Sequence, residues 1–266
     1  MSTLSGIDKL IGEKDGAIGW ITFNNPARHN AVSMSMWQAL FDVVSEFAAD
    51  DAVRVIVVKG AGERAFVSGA DISEFEEKRS SPETTQAYNA TSQRASKALK
   101  DVNKPTIAMI RGWCVGGGVS LALSCDLRIA AEGSTFAVPA AKLGLGYEFE
   151  GVRKLVDVVG PSFAREIFYT ARQFSAAEAL AMGLVNRVVP AEELQAYVCD
   201  YAATIGNNAP LTVASIKTLV GQALKDESQR DMALCQQVVD RCFGSADYVE
   251  GRQAFMEKRK PKFSGR

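Results

Sequence analysis

Apolar and polar positions follow one pattern in the first 150 residues and another after them. Three short apolar runs, Trp20-Ile21-Thr22-Phe23, Val53-Arg54-Val55-Ile56-Val57-Val58 and Thr106-Ile107-Ala108-Met109-Ile110, are rich in β-branched residues. They predict strands, the last one buried. Between the first two, Met36, Trp37, Leu40, Val43, Val44 and Phe47 share one broad helical face and predict a helix over 34–49. Ser35 and Gln38 have capping-box spacing at its start. A second helix is predicted over 83–102, ending before Lys104-Pro105. Strand, helix, strand in succession predicts parallel crossovers and an α/β class. Beyond about residue 150 the strand pattern nearly stops. Gly160-Pro161 marks a helix start, and Ser175 with Glu178 forms a capping box for a helix that Gly183 closes. Helix formers then fill 190–205, 210–224 and 227–242.

Composition narrows the function classes. The chain has 266 residues, enough for one large domain or a core with a helical appendage. Its net charge is −1 and no basic block stands out, which argues against nucleic acid and anionic membranes as partners. No apolar run approaches a membrane span, and residues 1–14 carry charges where a signal peptide needs an apolar core. The expectation is a soluble cytoplasmic protein. Five cysteines without Cys-x-x-Cys spacing read as buried small hydrophobes, and the single histidine, His29, cannot supply a zinc site.

Two glycine-rich stretches carry the candidate chemistry. Ser68-Gly69-Ala70-Asp71-Ile72 and Gly112-Trp113-Cys114-Val115-Gly116-Gly117-Gly118 place small residues where backbone must approach a ligand closely. The second lies between a strand-like run and the helix-like Val119-Ser120-Leu121-Ala122-Leu123. Such a turn presents helix N-terminal N–H groups to an anion, and two N–H groups from two loops can hold an oxyanion. With Asn24-Asn25-Pro26-Ala27-Arg28-His29-Asn30-Ala31, Cys125-Asp126 and Ala176-Ala177-Glu178-Ala179-Leu180-Ala181-Met182-Gly183-Leu184-Val185-Asn186, these stretches resemble the crotonase, or enoyl-CoA hydratase/isomerase, superfamily.

The resemblance implies a ββα spiral core over 1–195 and a helical C-terminal trimerisation region over 196–266. It also implies a homotrimer or dimer of trimers, an acyl-CoA or enoyl-CoA substrate and no permanently bound cofactor, CoA being part of the substrate. It assigns the backbone N–H groups of Ser68 and Gly117 to the thioester oxyanion hole. CoA contacts fall on Arg28, Ala70, Asp71 and Ile72, and on Lys258 and Phe263 of a basic-aromatic tail that reaches a neighbouring subunit. The chain also departs from the family. Hydratases of the family use two glutamates, and here Ser120 and Ala140 stand at those positions. Neither can replace a carboxylate in proton transfer. The candidate substitute is Glu148, in register with a catalytic acid of dienoyl-CoA isomerases, with Tyr147 as its hydrogen-bonding partner. If Tyr147-Glu148-Phe149-Glu150 is extended, Glu148 and Glu150 point the same way. The expected function is an enzyme acting on CoA thioesters through an enolate. The alternatives are an acyl-CoA decarboxylase on the same scaffold and a non-catalytic acyl-CoA-binding protein. Gly144-x-Gly146 lacks the rest of a dinucleotide fingerprint, and Ser120 lacks a nucleophile-elbow context.

Overall fold

The computed structural model describes residues 2–71 and 81–266. Two sheets organise it. In the larger, β1 (Ser2–Ile7), β2 (Leu10–Asp15) and β3 (Ile18–Phe23) form an antiparallel meander. Four strands then continue the sheet in parallel beyond β3: β4 (Val55–Gly60), β6 (Thr106–Ile110), β8 (Leu127–Ala131) and β11 (Arg187–Val189). The smaller sheet sets β5 (Ala65–Val67), β7 (Trp113–Val115) and β9 (Thr135–Ala137) parallel, with β10 (Phe174–Ser175) antiparallel at its edge. Three successive strand pairs, β4–β5, β6–β7 and β8–β9, each place their first member in the large sheet and their second in the small one. That is the expected spiral.

The large sheet is covered on both faces, which is why its parallel strands are mostly apolar. Alternation along β4 shows it. Ile56 and Val58 join the cluster containing Met36, Leu40, Val43 and Phe47 of helix α1 (Met34–Ala49). Val55 and Val57 join the opposite cluster with Trp20, Ile107 and Ile129. That second face is closed by Leu194, Val198 and Ala202. These belong to helix α6 (Leu194–Gly206), so α6 packs with the sheet although the sequence reading grouped 196–206 with the C-terminal region. Helices α7 (Pro210–Ala223), α8 (Met232–Phe243) and α9 (Ala246–Met256) follow.

Other boundaries also moved. Helix α1 is capped by Ser33, whose side chain accepts the Met36 N–H, rather than by Ser35. Strands β1 and β2 were not anticipated, because Glu13, Lys14 and Asp15 give this edge hairpin little apolar alternation. Helix α2 (Pro82–Asp101) lies where expected. Helix α3 (Gly117–Ala122) and the long α4 (Phe149–Thr170) follow, the latter broken at Gly160, whose φ of 73° no helix accommodates. Pro161 therefore does begin a helical segment, while the preceding segment starts at Phe149. Consequently 147–150 is not an extended run: Glu148 is the N-cap residue and Glu150 lies in the first turn of α4. Helix α5 (Ala176–Ala181) carries the Ser175–Glu178 capping box as predicted. No described helix is long and apolar enough to cross a membrane.

Candidate active site

Parallel β5, β7 and β9 bring their C-terminal ends to one edge of the small sheet. Ligand crevices form there because the following loops converge. The loops are 68–71, 116–118 and 138–140. They are tied to each other: Gly116 N–H donates to the Ala137 carbonyl at 2.8 Å. Helix α3 comes so close to β5 that a Cβ on Gly118 would lie 2.1 Å from the Val67 carbonyl oxygen. Only glycine fits that contact.

The Ser68 N–H is not available to a ligand. It donates to the His29 carbonyl at 3.1 Å, and the Ser68 hydroxyl turns to the Arg28 carbonyl at 3.4 Å. The available donor is two residues on. Val32 N–H donates to Gly69 O and Asp71 N–H donates to Val32 O, so the loop pairs with Val32 as a short parallel bridge. Backbone polarity alternates along such a bridge, so the intervening Ala70 N–H points to the other side. It has no acceptor among the described residues. Gly117 is the first residue of α3, where an N–H has no intrahelical acceptor. A Cβ on Gly117 would lie 3.7 Å from the Ala70 nitrogen. Two N–H groups on two separate loops, neither with a partner among the described residues, thus flank one small space, and chemically they suit a single oxygen that gains negative charge. Sequence reasoning assigned Ala70 to CoA and missed this use of its N–H. Only the register against Val32 reveals which N–H of 68–71 is consumed.

Of the predicted CoA residues, Arg28, Ala70 and Asp71 come together. Asp71 is buried, and its Oδ1 accepts from Arg28 Nη1 at 2.9 Å. Ile72 lies outside the described residues. Lys258 lies just past the end of α9, and Phe263 lies away from this site within its own chain. The Phe263 carbonyl accepts from Arg54, which precedes β4, whereas 61–71 follow it. The strand alone separates the two ends by about 17–20 Å. Within its own chain the tail folds onto α9, where Arg259 pairs with Glu250 and Asp247 accepts the N–H groups of Ser264 and Gly265.

The two positions at which the resemblance implies glutamates are occupied by Ser120 and Ala140. Ser120 is half-buried on the first turns of α3, and Ala140 is buried in the 3-10 turn Pro139–Leu143. An ammonium is fastened just past the end of α3: Lys154 Nζ donates to Ser124 Oγ at 3.0 Å, and burial pushes its pKa down. Glu148 and Tyr147 do not bond each other as expected. The Tyr147 ring packs edge-on to Phe168 at 4.9 Å, and burial raises the phenol's pKa. The Glu148 carboxylate accepts from Asn89 Nδ2 at 2.8 Å and from Gln93 Nε2, both on α2. Those two amides had no signal in the sequence beyond their four-residue spacing on one helix face. All five cysteines are free. Burial pushes the Cys125 thiol up to about 12 and Cys114 higher still, so neither supplies a thiolate. Among the described residues no cluster of histidine, cysteine or carboxylate side chains suits a metal.

Comparison with known proteins agrees with this framework. The family model "Enoyl-CoA hydratase/isomerase" matches residues 13–266. A short-chain-enoyl-CoA hydratase of Clostridium acetobutylicum is 33% identical over 254 residues, covering 96% of this chain and 97% of that protein. A carnitinyl-CoA dehydratase of Proteus mirabilis is 34% identical over 255 residues, covering 94% and 96%. The crystal structure of an enoyl-CoA hydratase/carnitine racemase from Magnetospirillum magneticum superposes with a TM-score of 0.94 at 35% identity, covering 98% of this chain and 97% of that one. Matched along nearly its whole length in sequence and in fold, the chain belongs to the enoyl-CoA hydratase/isomerase family.

Proposed function

We propose that the protein is a CoA-thioester enzyme of the enoyl-CoA hydratase/isomerase type that works through an enolate. The observation that carries this reading is the pair of N–H groups on Ala70 and Gly117, which have no partner among the described residues. A thioester oxygen seated between them accepts both. When a proton leaves the acyl chain, negative charge moves onto that oxygen and both hydrogen bonds strengthen. One such donor is worth about 3–4 kcal/mol of transition-state stabilisation. The relatives named as a hydratase and a dehydratase support a CoA ester as substrate.

The proton chemistry rests on Glu148 in this reading. A single carboxylate completes an isomerisation: it takes a proton from one carbon of the allylic system and returns it at the other end, the double bond moving between. Addition of water by the two-carboxylate route is not open to Ser120 and Ala140. We therefore expect double-bond migration to outpace hydration of crotonyl-CoA. The absence of carboxylates at 120 and 140 also favours a second reading, decarboxylation of a malonyl-type CoA ester, which needs the N–H pair but no base.

Gly117→Pro tests the central feature. Proline is accepted at the first position of a helix, where it removes the N–H and sets a ring carbon in its place. With a 3-enoyl-CoA substrate, turnover should fall about 10²–10³-fold while the circular dichroism spectrum is unchanged. Unchanged turnover refutes the N–H pair. Loss of carbon dioxide from a malonyl-type ester, with no action on enoyl esters, supports decarboxylation. Tight ester binding without turnover of either class identifies a binding protein.

A further inference from the structure

Helix α2 connects the two halves of the candidate site. Tyr88 accepts the Trp37 indole N–H at 3.0 Å and directs its own hydroxyl to the Val32 carbonyl at 3.5 Å. That carbonyl also accepts the Asp71 N–H and so orders the loop bearing Ala70. One residue on, Asn89 bonds one oxygen of Glu148, and Gln93, a helical turn further, bonds the other. Both carboxylate oxygens are thereby held by one helix, in which Tyr88, the residue before Asn89, is bonded to the Val32 carbonyl beside the oxyanion loop. The Glu148 side chain takes no hydrogen bond from the helix it caps. Its side chain is exposed, and without these amides rotation about its own torsions is opposed by little.

We infer that Asn89 and Gln93 are positioning residues that set the direction of the Glu148 carboxylate relative to the Ala70–Gly117 pair. This rests on the reading of Glu148 as the proton-transfer group. Neutral amides suit the task. They donate to both oxygens without supplying a competing base or a counter-ion that would neutralise the carboxylate. Each oxygen keeps a second lone pair for the substrate proton. Proton transfer is steeply sensitive to geometry, so loss of direction lowers the chemical step more than ester binding.

A double-mutant cycle in kinetics separates positioning from fold support. Asn89→Leu with Gln93→Leu should lower kcat on a 3-enoyl-CoA by about 10- to 100-fold and leave KM within about twofold. The same pair of changes made in a Glu148→Gln protein should lower kcat no further. Thermal melts of all variants report on folding. An equal loss in both backgrounds overturns the inference and leaves Glu148 in its role, since a merely structural helix acts regardless of the carboxylate. Full turnover by Glu148→Gln alone overturns the reading of Glu148, and the inference with it.

Discussion

The approach of Gly118 to the Val67 carbonyl gives the sharpest expectation at a single residue. At 2.1 Å a Cβ meets backbone rather than a flexible side-chain end, so either β5 or α3 must move. Gly118→Ala should cost at least ~2 kcal/mol and lower Tm by about 5 °C or more. Gly146→Ala is the control, since nothing lies within 4 Å of its Cβ; its effect should stay within about 0.5 kcal/mol. Equal melting of the two variants contradicts the packing described. Residue identity alone told that Gly116, Gly117 and Gly118 matter, because three glycines in a row between a strand and a helix have few other uses. It did not tell which N–H of 68–71 is free. Ser68 and Ala70 are both small, and the distinction lies in whether His29 or Val32 faces the chain there.

Helices α2 and α5 illustrate what an element adds to its residues. In α5 the Ser175 backbone N–H first, then the Arg172 guanidinium and the Ser175 hydroxyl, hold the Glu178 carboxyl down at about 2. The folded form therefore binds this proton less readily than the unfolded chain. The contribution is fully present above the ordinary value of 4.5 and is lost as pH falls toward about 2. Glu178→Gln should flatten the Tm-against-pH curve in that window alone. A curve parallel to the wild type's would show that the cap carries no charge-dependent stability. In α2, Tyr88→Phe leaves the buried Trp37 N–H without its acceptor, at a cost of about 1–3 kcal/mol. The same change loosens Val32, so turnover should fall beyond what the melt accounts for at assay temperature. Helical periodicity showed both elements in advance, and Ser175–Glu178 was legible because capping is a local affair of four residues. The bonds from Asn89 and Gln93 to Glu148 were not legible, since they join positions 55 and more residues apart.

Across the whole molecule, Ile216, Val220, Leu224, Met232, Phe243 and Phe255 remain exposed on the C-terminal helices. Apolar residues in this number suit association with further copies, as the trimer expectation requires. Sedimentation equilibrium should return three or six times the chain mass, and Phe255→Asp should shift it downward. A monomer at all concentrations contradicts the expectation. The amino-acid sequence by itself determined the α/β class, the order of most helices, the family and the two glycine loops, because hydrophobic period, capping and glycine tolerance act over neighbouring residues. It also established that Ser120 and Ala140 are not carboxylates. Tertiary structure decided the rest. It placed α6 on the sheet, turned 149–150 into a helix start and carried Phe263 to the opposite end of β4 from Ala70. It also moved the free N–H from Ser68 to Ala70. Each of these depends on which distant backbone or side chain arrives at a given position, and pairing register between remote segments has no local signature.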